Sequence, residues 1–179
     1  MTPDSVQYLI SAPNAITGYS LPGTVYNSNG NYASTTQYDL AVAQNNIFPD
    51  ITGPQNANQQ VDYQCVFVYN SDGADSMSNT VAWIPTTSIT SYAVTWGIAA
   101  DPIGPTTYTY GDQQAQLIAN PYVAPAGIYT WTPPSPAVAG GISLGTIGPR
   151  QVYAVWIKRS ATGTPDMNVG FNLQVTFDV

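Results

Sequence analysis

Residues 61–70 read VDYQCVFVYN. Val61, Tyr63, Cys65, Phe67 and Tyr69 recur at every second position, the spacing at which side chains of an extended strand return to one face. Val66 and Val68 add apolar groups to the opposite face, so a central strand is expected, covered on both sides toward its end. SDGADS follows and supplies a turn with Asp72-Gly73 at its tip. NTVAWI (79–84) reads as the partner strand, stopped by Pro85. In SYAVTWGIA (91–99), Tyr92, Val94, Trp96 and Ile98 share one face. QAQLIA (114–119) and GIYTW (127–131) read as weaker strands. Another strand is expected from Gln151 to Arg159. The last strand alternates Phe171, Leu173, Val175, Phe177 and Val179 with polar residues, the pattern of a strand with one wet face.

Composition agrees with an all-β chain. Charged residues are 7% of the 179, against about 25% in average usage. All ten acidic residues are Asp, which leaves helices without one of their usual formers. An apolar content of 44%, with 12% aromatic residues, argues against disorder. Seven or eight short strands separated by turn residues predict an immunoglobulin-like two-sheet β-sandwich over 59–179. Tyr63, Cys65, Phe67, Val94, Trp96, Val155, Phe171, Leu173, Val175 and Phe177 are expected in its core. Trp83 is expected to be buried as well.

Residues 1–58 show no sustained periodicity. Tyr19, Tyr26, Tyr32 and Tyr38 are spaced among Gly, Asn, Ser and Thr, a composition suited to turns and short edge strands. This segment is expected to be an extended N-terminal assembly arm, with possible short strands or a helical turn at Asp39–Asn46. Together with Trp131, which lies in the Pro-rich YTWTPPSP, these tyrosines are the candidate assembly-interface residues. Tyrosine offers large contact area at little rotamer cost.

Chemistry is scarce in the sequence. There is no histidine and no glutamate, so the commonest general base and metal ligand is missing. Cys65, the only cysteine, has no histidine to activate it and reads as a small buried hydrophobe. Asp72 and Asp75 lack the spacing of a dedicated calcium loop and read as turn residues; Asp101-Pro102 reads the same way. No catalytic residue, cofactor or metal site is expected. A net charge of −7 with only Arg150, Lys158 and Arg159 as cations opposes binding to phosphate backbones. The sequence has no basic region followed by an apolar run at its start, so no secretory leader is expected, and no stretch is apolar enough to span a bilayer. Trp131 is the ring best placed to be exposed, but a single ring is a weak basis for a carbohydrate platform.

Two blocks carry a family resemblance. NNIFPDITGPQNANQQVDYQCVFVYNSD (45–72) resembles the Asn-Leu-Phe-Asp-Asp-Val-(Ser/Thr)-Gly…Glu-Tyr-Arg-Cys-(Ile/Phe)-Tyr-Val-x-Asn stretch of a family of tailed-bacteriophage virion structural proteins. ISLGTIGPRQVYAVWIKRSATGTPDMNVGFNLQVTFDV (142–179) resembles that family's ending, with its Ala-Val-Trp-(Ile/Val)-(Lys/Arg)-Arg strand. The matching positions are Asn46, Phe48, Gly53, Tyr63, Cys65, Val68, Asn70, Gly145, Pro149, Val155, Trp156, Lys158 and Arg159. The chain departs from the pattern at Asp62 and Gln64, where Glu and Arg are expected, and at Pro149-Arg150 in place of Pro-Gly. The resemblance implies a virion structural protein. A capsid decoration or cement protein is the role expected within that class, binding the outer head surface and stabilising the shell after synthesis in the host cytoplasm. Its partners would be the major capsid protein and copies of itself, as a homo-oligomer for which a trimer is one arrangement, with neither nucleic acid nor membrane involved. A tail- or fibre-associated binding module, including a carbohydrate-binding one, is the alternative.

Overall fold

The computed structural model describes residues 6–12, 15–16, 19–20, 28–37, 47–48, 51–89, 93–108, 112–128, 130–163 and 170–179. Among them the chain is all-β. Its strands are β1 (Val6–Ala12), β2 (Ala15–Ile16), β3 (Tyr19–Ser20), β4 (Tyr32–Gln37), β5 (Val61–Asn70), β6 (Met77–Trp83), β7 (Val94–Ala100), β8 (Thr106–Thr107), β9 (Ile142–Ile147), β10 (Gln151–Ala161) and β11 (Gln174–Asp178). Helix among these residues is limited to one short α-helix, α1 (Gly53–Ala57), and two 3-10 turns.

Two antiparallel sheets pack face to face. The larger has the order β4-β1-β5-β10-β7, with β8 also paired to β10, and the smaller has the order β11-β6-β9. The core between them holds Ile10, Val66, Val68, Met77, Ala82, Ile84, Val94, Trp96, Ile98, Leu144, Ile147, Val155 and Ile157. Phe171, Leu173, Val175 and Phe177 pack against it but stay half-buried, because they lie on or just before β11, the last strand of the smaller sheet. Tyr8 closes that flank. Its hydroxyl is hydrogen-bonded to the Val175 backbone, and burial pushes its pKa up to about 12.

The far face of the larger sheet is also dry. Leu9, Cys65, Phe67, Tyr69, Val152, Ala154 and Trp156 form a second apolar cluster there with Ala33, Ala115 and Ile118. The expected grouping of Tyr63, Cys65 and Phe67 with Val94, Trp96 and Val155 is therefore corrected. Cys65 and Phe67 are fully buried, but on the outer face, while Val66 and Val68 face the second sheet. Period two shows which residues share a face; it does not show which face meets the other sheet.

An irregular layer covers the outer face, built from segments 28–31 and 112–128 together with the start of β4. QAQLIA contributes to this layer and forms no continuous strand, and of GIYTW the described residues include Ile128, which packs against the cluster. The backbone N–H groups of Gln114 and Ala115 donate to Asn31 O at 2.8 and 3.0 Å, and that of Ile118 to Asn29 O at 3.0 Å. Gln114, fully buried, donates through Nε2 to Thr107 O at 2.9 Å and accepts from the Ala33 N–H at 2.8 Å. Gly30 is needed where it stands. Its φ is +83°, and a Cβ there would lie 1.8 Å from Gln116 O and 2.9 Å from Trp156 Cζ2.

The border drawn at residue 58 does not separate the sheet from what precedes it. β1 lies inside the larger sheet, pairing Val6 to Ile10 with Asn70 to Val66 of β5, and β4 pairs with β1. Leu9 and Ile10 are buried on opposite faces. Where β1 leaves β5, Ser28 O and Pro121 O accept from the Cys65 and Tyr63 N–H groups, both at 2.7 Å. The strand thus keeps its partners along its length, as buried backbone requires. Phe48 fills one end of the sandwich, with its ring 5.5 Å from Trp96 and 6.5 Å from Phe171. α1 follows, capped by Thr52 and Gln55 in a reciprocal capping box, and Asn56 Oδ1 accepts from the Gly163 N–H at 3.1 Å. Of the arm tyrosines, Tyr32 opens β4 and is half-buried, and Tyr19 lies in β3. Tyr26, Tyr38 and the helical turn expected at 39–46 lie outside the described residues, as does Tyr92.

Candidate interaction surface

The outer face of the larger sheet emerges from its cover row by row. Cys65, Trp156 and Ala99 stand opposite one another on β5, β10 and β7, and all three are buried. In the next row are Tyr63, Lys158 and Gly97, and in the row beyond it Val61, Ser160 and Thr95. Tyr63, Lys158, Val61 and Ser160 are half-buried and Thr95 is exposed. Among the described residues the cover thins over these two rows: Pro121 O still meets the Tyr63 N–H at 2.7 Å and Gly97 is buried, while Thr95 is exposed.

Trp131 lies over this opening. A Cβ at Gly97 would meet Trp131 Cβ at 3.1 Å, so the glycine lets the tryptophan approach the sheet. Thr132 fixes the position by exchanging backbone hydrogen bonds with Ile98, both at 2.9 Å. The Trp131 and Tyr63 rings are 5.4 Å apart at an interplanar angle of 43°, and Lys158 Nζ lies over the Trp131 ring, 5.9 Å from its centroid. Burial raises the pKa of Tyr63 above its ordinary value. The result is a partly open pair of rings with one ammonium beside them.

Behind the opening the support is buried and polar. Asp101 is fully buried. Its Oδ2 accepts from Trp156 Nε1 at 2.8 Å and from the Gln116 N–H at 2.9 Å, and its Oδ1 accepts from the Ile103 N–H at 2.9 Å. This carboxylate ties β10, the 101–104 turn and the loop layer together. It also adds to the burial that raises the Cys65 thiol pKa well above its ordinary value, which keeps the thiol protonated and inert.

On the inner face, at the same end of the sheet, Arg159 and Asp62 stand opposite each other. Arg159 Nε and Nη2 donate to Asp62 Oδ2 at 3.0 and 2.5 Å. Both side chains are nearly inaccessible, at 5% and 6%. The guanidinium carbon lies 4.7 Å from the centroid of the Phe48 ring, so Phe48 covers the ion pair.

The opposite end of the sandwich is turn chemistry. Asp72 Oδ1 accepts from the Ala74 and Asp75 N–H groups at 2.8 and 3.0 Å; these bonds, with the Arg150 charge nearby, lower its pKa. Asn70 Nδ2 reaches Asp75 O, Ile147 O and Gly148 O, tying the β5–β6 turn to the β9–β10 turn. Among the described residues no group of three His, Cys, Asp or Glu side chains could hold a metal ion.

Of the expected interface residues, Trp131 is placed on this surface, while Tyr32 is in β4 and far along the sheet order from β7. Trp83, expected to be buried, is half-buried in β6. Tyr63, read from its period as core, proves to be the ring beside Trp131. The glycine interrupting the apolar run of TWGIA was the one available sequence signal of a close approach at this point. No family model matches the chain, and no curated protein or solved structure matches it.

Proposed function

We propose that this chain is a structural protein of a tailed-phage virion, a decoration or cement protein seated on the outer head surface. The observation that supports this reading is where the two blocks of the resemblance fall. They are far apart in sequence, yet they supply the two central strands of the larger sheet. Cys65 stands opposite Trp156 and Tyr63 opposite Lys158, Phe48 packs on Arg159, and Asn70 reaches the β9–β10 turn. Matching positions that meet in space describe a folding unit held in common, while its surface is free to differ. A two-sheet scaffold of net charge −7 suits display in many copies, because like-charged copies stay soluble.

The test is binding of the purified full chain to heads that lack it. Saturable co-sedimentation with heads and none with isolated tails is expected. Binding to tails alone would instead favour the fibre-associated module.

A further inference from the structure

We propose that the open end of the outer face is a binding site for an acidic saccharide, formed by Trp131, Tyr63, Lys158, Thr95 and Ser160. Pyranose rings present C–H faces that pack on aromatic rings, and two such rings stand side by side here, 5.4 Å apart. The Thr95 and Ser160 hydroxyls, in the adjoining row, supply donors and acceptors for sugar hydroxyls.

Charge selects the acidic class. The chain has three cations against ten carboxylates. Arg159 is committed to Asp62, and Arg150 is engaged by Tyr69 and Asp72 at the other end of the sheet. Lys158 forms no ion pair among the described residues and stands over the Trp131 ring. Its neighbours in the two open rows are uncharged. An anion is therefore complementary to this face and to little else on a chain of net charge −7.

Other occupants fit less well. A peptide added as a strand needs a sheet edge, and this is a sheet face. Nucleic acid needs several cations along its backbone, and one is present.

The experiment is a titration of the full chain with a hexamer of galacturonic acid and, separately, with the neutral cellohexaose, read by tryptophan fluorescence and calorimetry. Saturable binding of the uronate with weaker binding of the neutral hexamer is expected. Trp131→Ala should weaken uronate binding about tenfold or more. Lys158→Gln should weaken it by about fivefold and leave the neutral hexamer unaffected. Thr95→Glu, at an exposed position, should abolish uronate binding with an unchanged melting temperature, which keeps the test valid should Trp131→Ala fold poorly. The proposal is overturned by absence of uronate binding, by equal affinity for both hexamers, or by unchanged binding in the folded Thr95→Glu protein. It is also overturned if Thr95→Glu reduces self-association of a chain that binds neither sugar, since the face would then be a contact between copies.

Discussion

Replacing Arg159 by Met would test whether the buried ion pair fixes the pairing of β5 and β10. The guanidinium donates twice to one oxygen of Asp62, and both side chains are at most 6% exposed. The other oxygen, Oδ1, has no hydrogen-bond partner among the described residues, so the carboxylate relies on Arg159. Removing the arginine strands a buried carboxylate, which costs about 3–5 kcal/mol, whereas replacing both partners by apolar groups is often neutral or stabilising. Arg159→Met should accordingly lower unfolding free energy by about 3–5 kcal/mol in a urea titration. The double variant Asp62→Leu/Arg159→Met should recover most of that loss, giving a coupling of about 2 kcal/mol or more in the double-mutant cycle. A loss below about 1 kcal/mol for Arg159→Met, typical of an exposed pair, would refute the buried, singly dependent geometry.

Three further outcomes follow from the packing. Gly30→Ala would force a left-handed φ on alanine and drive its Cβ into Gln116 O; a loss of at least about 2 kcal/mol is expected, with a shift in Trp156 emission, and an unchanged thermal melt would contradict this. A chain beginning at Asp50 lacks β1, β4 and Phe48. Since truncating a residue such as Leu9 or Ile10 alone costs about 2–5 kcal/mol out of a typical total of about 5–15, it should not fold, and a cooperative melt near that of the full chain would show β1 to be dispensable. Tyr8 holds its proton more tightly folded, with a pKa near 12, than unfolded, near 10. Its contribution, about 2–3 kcal/mol, is complete below pH ~10 and disappears as pH rises through ~12. Urea titrations at pH 9 and 11 should show about half of that fall, about 1.4 kcal/mol, and Tyr8→Phe should reduce it.

The legible parts of the fold were strands with an uninterrupted period of two. β5, β7 and β10 announce themselves by alternation, and the turns between strands by Asp, Gly and Pro. β1 was hidden although Val6, Tyr8 and Ile10 alternate. Leu9 on its other face is also buried, which removes the polar half of the signal, and turn-forming residues surround it. QAQLIA has the apolar content of a strand because covering an apolar face requires apolar residues whatever the backbone does. The surface site was half legible. Trp131 stood out in its Pro-rich loop, but its partner Tyr63 looked like core, because burial decreases gradually along one face of β5 and the period carries no trace of that gradient.

The most direct measurement of the proposed role is the number of copies of this chain per purified particle, obtained by mass spectrometry with the major capsid protein as internal standard. A head decoration protein predicts a fixed stoichiometric ratio to the major capsid protein, retained on isolated heads. A handful of copies per particle, lost from heads and recovered with tails, would contradict it.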